Sequence, residues 1–278
     1  MKYIYIPSKT FLLGEYLALK GGPAILALTT PSFSVDESKH LHPDCMAARY
    51  WFSKTQKKCD WGLKDPYLGK GGLGASSAEF LLAYAQLEGH FENRQHLYET
   101  YLAFSDVNAA QKPSGYDVIA QTSQGLSVVE ASPLRCKSFA WPFDDIGFIL
   151  IHTGQKLKTH SHLQETLHIL NWKKMALASE QAIFGLEHQN ADAFIDAIRL
   201  FGDSLDESGF VALHTQQILE TIKKEHILAA KGCGAMGADV ILVLVEKSRQ
   251  SILIEQWNQK NIDILATDAD LFFQNAKK

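Results

Sequence analysis

The stretch 70-KGGLGASSAEF-80 sets Gly71, Gly72 and Gly74 directly ahead of two serines and a long apolar segment. A glycine-rich turn that feeds a helix start presents unpaired backbone N–H groups at the positive end of the helix dipole, an arrangement that suits a phosphate. A loop that only reversed the chain would need fewer glycines. The fold must therefore aim this loop and the helix behind it at an anionic ligand.

Two familiar phosphate motifs fail on their surroundings. Gly69, Gly71 and Gly74 match the dinucleotide fingerprint G-x-G-x-x-G, but the preceding 63-LKDPYLGK-70 is not the apolar strand that motif requires. Gly69 and Gly74 also have the outer spacing of a P-loop, yet Ala75 and Ser76 stand where a lysine and a Ser/Thr are needed.

The rest of the chain bounds the alternatives. A length of 278 residues suits two medium domains, and the turn-forming, aromatic stretch 132-SPLRCKSFAWPFDDIG-147 marks the boundary, giving 1–142 and 143–278. A net charge of -4 offers no electrostatic footprint for nucleic acid or an anionic membrane. The opening 1-MKYIYIPSKT-10 reads as a first strand rather than a signal peptide or anchor, and 240-VILVLV-245 is too short to span a bilayer. Cys45, Cys59, Cys136 and Cys233 are scattered without a CxxC pair, as expected of reduced thiols in the cytoplasm.

Along the chain, strands are expected at 2–6, 24–30, about 124–130, 147–154, 240–245 and 262–266. Helices are expected from Ser76, from about Asn93 as N-cap, within 160–225 and near 249–259, with Pro113 ending the second. Residues 31–69 show no sustained period. The group 40-HLHPDC-45 with Cys59 has zinc-binding atoms, but its spacing matches no standard site.

Four separated segments share one resemblance. The first, 7-PSKTFLLGEYLALKGGPAILAL-28, is similar to the opening motif of the GHMP kinases, named for galactokinase, homoserine kinase, mevalonate kinase and phosphomevalonate kinase. The second, 72-GLGASSA-78, resembles their phosphate loop; 113-PSGYD-117 resembles their Pro-Ser-Gly-x-Asp; and 232-GCGAMGADVILVL-244 resembles their C-terminal glycine loop. The four occur in the family's order. The resemblance implies a two-domain α+β fold, the GHMP kinase fold, with a ribosomal-protein-like N-terminal domain, a ferredoxin-like C-terminal domain and the nucleotide and substrate in the cleft between them.

It also implies roles. Phosphoryl transfer needs amide donors, a metal site, a cation and a group that orients the nucleophile. Gly72, Leu73, Gly74, Ala75, Ser76 and Ser77 would cradle the ATP phosphates. Ser76 and Asp106, eleven positions before the motif aspartate, would hold Mg²⁺, although an aspartate near a helix end is more often simply solvated. Asp117 would be the base or orienting group, and Lys9 the cation that keeps it ionised; the plain alternatives are a turn-capping aspartate and a surface lysine. Glu15 stands outside this catalytic set as a carboxylate that could equally be structural, pairing across the domain. Lys156, Lys158 and His160 in 152-HTGQKLKTHSHL-163, with Gly234 and Ala235, would face an anionic substrate; a solvated basic loop is the alternative for the first three.

For the acceptor, Asp-Val at 117–118 and Asp239 closing the third loop resemble phosphomevalonate kinases. A phosphomonoester is already ionised and needs no base, so Asp117 is more plainly useful against the hydroxyl of mevalonate. Met236 and Ala238 replace glycines of the family loop, and residues 29–71 are shorter than in most relatives, in a part that would help shape the adenine pocket. The expectation is a cytoplasmic, monomeric or homodimeric small-molecule kinase using ATP and Mg²⁺. A GHMP-like ligand-binding protein without catalysis is the alternative of another class, and retention of Lys9, Ser76, Asp106 and Asp117 together argues against it. A Rossmann-type oxidoreductase is the remaining outsider.

Overall fold

The computed structural model describes residues 4–105, 112–155 and 167–274. Asp106, Lys156, Lys158 and His160 lie outside the described residues.

Two sheets organise the chain. The first contains β1 (Ile6–Leu13), β2 (Ala24–Asp36), β3 (Gly62–Lys64), β4 (Leu126–Ala131) and β5 (Leu134–Phe139), in the order β1-β2-β4-β5 with β3 paired to β2. The second contains β6 (Ile146–His152), β7 (Ala229–Cys233), β8 (Val240–Glu246) and β9 (Asp263–Thr267), in the order β7-β8-β6-β9. All its pairings are antiparallel. With helices between β6 and β7 and between β8 and β9, this is the β-α-β-β-α-β ferredoxin-like arrangement.

The first strand differs from its sequence reading. It starts at Ile6 and runs through Pro7-Ser8-Lys9-Thr10 to Leu13, with every residue buried. Such a strand shows no apolar/polar alternation, because both its faces are covered. Pro7 is accommodated at the edge of the sheet, beside a register shift between Ile6 and Ser8. The unreadable 31–69 region holds the rest of β2, α1 (Met46–Thr55) and β3.

Helix α2 (Ala75–Glu88) is apolar nearly all round because it packs on α1, on β1 and on β2. Next, α3 (Arg94–Phe104) opens on Asn93, whose side chain accepts the His96 N–H, and stops at Ser105, well before Pro113. The short α4 (Tyr116–Gln121) follows. In the second half α5 (Trp172–His188), α6 (Ala191–Glu207) and α7 (Leu213–Ile222) precede β7, and α8 (Lys247–Gln259) precedes β9. Helix α6 touches both β7 and β1, joining the two sheets.

After β9 the chain returns to the first sheet. Leu271 bridges Thr29, Phe272 donates to the Leu28 carbonyl at 2.8 Å, and Gly125 donates to the Phe272 carbonyl at 2.7 Å. No helix among the described residues is long and apolar enough to cross a membrane.

Candidate active site

Residues of β1 and α4 meet beside the start of α2. Lys9 and Phe11 share one face of β1, and the Lys9 ammonium sits 4.9 Å from the centre of the Phe11 ring. Asp117 and Gln121, one turn apart on α4, both face this strand. The ammonium of Lys9, its side chain only 10% exposed, lies 3.0 Å from Asp117 Oδ2, and the Asp117 side chain is 28% exposed. Buried Tyr101 lies nearby, its hydroxyl pushed up by burial and further by the Asp117 charge.

The glycine loop Gly71–Gly74 is bound to the same strand. The Lys9 N–H donates to the Leu73 carbonyl at 3.0 Å. Gln121 donates to the Pro7 carbonyl at 2.7 Å and to the Gly74 carbonyl at 3.3 Å, while its carbonyl oxygen accepts the Ser77 hydroxyl at 2.5 Å. The Ser77 side chain therefore points inward as a brace, and only its amide is left for a ligand. Ser76 is exposed.

Glycine is required here by close approach. Gly74 has φ +83°, and a Cβ on it would come within 2.8 Å of Lys9 Cγ and 3.0 Å of Gln121 Nε2. Gly72 has φ +79°, and its Cβ would come within 2.9 Å of both Asp239 Cβ and Val240 Cγ2. The first intrahelical bond of α2 runs from Ala78 N–H to the Gly74 carbonyl at 2.9 Å, so the amides of Ala75, Ser76 and Ser77 have no intrahelical acceptor. The cradle fits a phosphate. Of the two residues expected to hold Mg²⁺, Ser76 is exposed in the first turn of α2, and among the described residues no cluster of three or more His, Cys, Asp or Glu forms a metal site. The His/Cys group near 40–59 forms none either.

The third loop lies against the glycine loop. Gly234 and Ala235 open a short 3-10 turn between β7 and β8, and Asp239, which ends the loop, is the residue nearest a Cβ on Gly71 and, with Val240, nearest one on Gly72. Asp239 is also tied to β6, its carbonyl accepting the Thr153 N–H at 3.0 Å. Beside it, Lys70 pairs with Asp263 at 2.5 Å, and His152, its side chain 8% exposed, lies 3.9 Å from the same carboxylate. Burial pushes the His152 pKa down, against the pull of Asp263.

Sequence reasoning left Glu15 outside the catalytic set, and the structure gives it a partner in the other half of the molecule. Glu15 Oε1 is 2.8 Å from Lys231 Nζ on β7, with side chains 4% and 0% exposed. Burial raises the Glu15 carboxyl against the opposing charge of Lys231. Burial works against the Lys231 ammonium, but Cys233 and Glu15 outweigh it and hold its pKa up. Sequence reasoning missed Gln121 and Lys231. The i, i+4 spacing of Gln121 from the motif aspartate was the available signal for the first.

No family model matches the chain, and no curated protein matches its sequence. Solved structures do match. Streptococcus pneumoniae phosphomevalonate kinase in complex with phosphomevalonate and AMPPNP superposes with a TM-score of 0.75 at 14% identity, over 96% of this chain and 99% of that one. Methanococcus jannaschii mevalonate kinase gives 0.69 at 14% identity, over 96% and 97%. Lactococcus lactis galactokinase complexed with galactose gives 0.71 at 14% identity, over 96% and 92%. Across nearly its whole length the chain has the GHMP kinase fold.

Proposed function

We propose that the chain is an ATP-dependent kinase of the GHMP type, with units 1–142 and 143–278, whose acceptor is phosphomevalonate. The observation that carries the reading is the Lys9–Asp117 ion pair set against the Leu73–Ser77 cradle within this fold. The amides of Ala75, Ser76 and Ser77 would take the ATP phosphates, where the positive end of α2 offsets their charge. Ser76 and Asp106 would hold Mg²⁺, which supplies charge neutralisation to the phosphates. The third loop, with Gly234 and Ala235, and the basic segment with Lys156, Lys158 and His160 would receive the acceptor.

In the transfer, an acceptor oxygen bonds to the γ-phosphorus, the bond to the β,γ-bridging oxygen breaks, and ADP leaves with that electron pair. Asp117 orients the acceptor and Lys9 offsets charge on the moving phosphoryl group. The chemistry of Asp117 supports mevalonate as a second acceptor, since a hydroxyl has a proton for the carboxylate to take and an ionised phosphomonoester does not. The four cysteines are free thiols, which accords with a cytoplasmic enzyme.

The test is coupled ADP release from MgATP, run in parallel with mevalonate and phosphomevalonate. Turnover with phosphomevalonate supports the proposal, and turnover with mevalonate alone moves the acceptor to the second reading. Silence with both, and no thermal shift with MgATP, makes the chain a non-catalytic binder.

A further inference from the structure

Tyr16 follows Glu15 in the opening motif and is 3% exposed. Its ring meets Phe210 edge-on at a centroid distance of 5.1 Å, and its hydroxyl accepts the backbone N–H of Met236 at 2.6 Å. On the other side, the Met236 carbonyl accepts the Ala212 N–H at 2.8 Å. Both backbone polar groups of Met236 are thus held from outside the third loop.

Met236 needs this hold. Its φ of +57° and ψ of +19° lie in the left-handed region that methionine avoids. Such a conformation persists where surrounding contacts over-determine it. The loop beyond it is fixed in the same manner, by Thr215 Oγ on the Gly237 carbonyl at 2.9 Å and His214 Nε2 on the Ala238 carbonyl at 3.0 Å. It then reaches Asp239, packed on Gly71 and Gly72.

We propose that Tyr16 is a positioning residue for the third loop: its hydroxyl, by accepting the Met236 amide, sets the loop in the shape that receives the acceptor substrate. The proposal rests on the kinase reading for the acceptor and on geometry alone for the loop. Glu15 and Tyr16 then divide the work, Glu15 tying the turn after β1 to β7 and Tyr16 shaping the loop that follows β7.

The test uses the full-length protein and Tyr16→Phe, which keeps the ring and removes only the hydroxyl. Hydrogen–deuterium exchange without ligand should show the wild-type Met236 amide protected by about 100-fold or more, and exchange over 232–239 faster by about tenfold in the variant. With MgATP, the variant's KM for the acceptor should rise about tenfold while its KM for ATP stays within about twofold. An unprotected Met236 amide in the wild type, or exchange unchanged in Tyr16→Phe, overturns the loop assignment. Faster exchange with an unaltered acceptor KM overturns the link to the acceptor. A wild-type protein silent with both acceptors refutes the kinase reading instead, and exchange then decides the loop assignment by itself. The wild-type measurement decides it too if the variant fails to fold.

Discussion

Lys9 Nζ lies 3.0 Å from Asp117 Oδ2, joining an edge strand to the first turn of a short helix directly beside the glycine loop that opens α2. If this pair works as a unit, Asp117→Asn should lower turnover by about 10²–10⁴-fold while the MgATP-dependent thermal shift is kept. Lys9→Met should fall similarly, and the double variant no further than the worse single one. Steady-state kinetics beside melting curves make the comparison; wild-type turnover in Asp117→Asn would remove that carboxylate from the mechanism.

Gln121 braces the loop from below. Gln121→Leu should leave Ser77 Oγ and the Pro7 and Gly74 carbonyls without their amide partner, at a cost of about 1–3 kcal/mol in urea denaturation. The nucleotide-dependent thermal shift should shrink as well. A variant of normal stability and normal shift would mean that the loop holds its shape unaided.

The Glu15–Lys231 pair is buried on both sides. Glu15→Ala strands the ammonium and Lys231→Met strands the carboxylate, so each should cost about 3–5 kcal/mol, whereas Glu15→Leu with Lys231→Met should recover most of the loss. Chemical denaturation of the three variants is the measurement, and additive losses in the double variant would contradict the pairing.

His152 makes stability depend on pH. Its native pKa is depressed by burial, whereas in the unfolded chain it titrates near the ordinary histidine value of about 6.5. Below 6.5 the unfolded chain therefore binds a proton that the native protein does not, and stability falls with acidification until the lower native pKa is passed. Above 6.5 the contribution is complete. Asp263, Lys70 and Asp239 act on the same ring and stay in place in His152→Gln. That variant should show a flatter dependence of Tm on pH between about 5 and 6.5; an identical slope would show that other groups carry it.

Several elements were legible because their signals are local. The helix behind the glycine loop, the Asn93 cap and the strands at 147–154 and 240–245 follow from turn chemistry and apolar runs, and the structure has α2, α3, β6 and β8 there. Lys9, Asp117 and the cradle could be named from motif resemblance, and the structure brings them together. Other features depend on partners distant in sequence. The strand expected at 2–6 runs instead through Pro7–Thr10 to Leu13, because the burial of those polar residues comes from α2, α4 and β2. Lys231 has no local signal of its role, since nothing near it in sequence announces Glu15. Tyr16 was passed over for the same reason, its partner being a backbone amide 220 positions along the chain.

The return of Leu271–Gln274 to the first sheet has a consequence for how the molecule is made. The Leu28 carbonyl and the Gly125 amide are completed by Phe272, which leaves the ribosome roughly 10–50 s after Leu28 at ordinary rates of synthesis. During that interval the edge formed by Leu28 and Thr29 faces water or a chaperone. The strands begun first are thus the last to be closed, and a nascent chain stalled after β9 would carry an open seam in its N-terminal half.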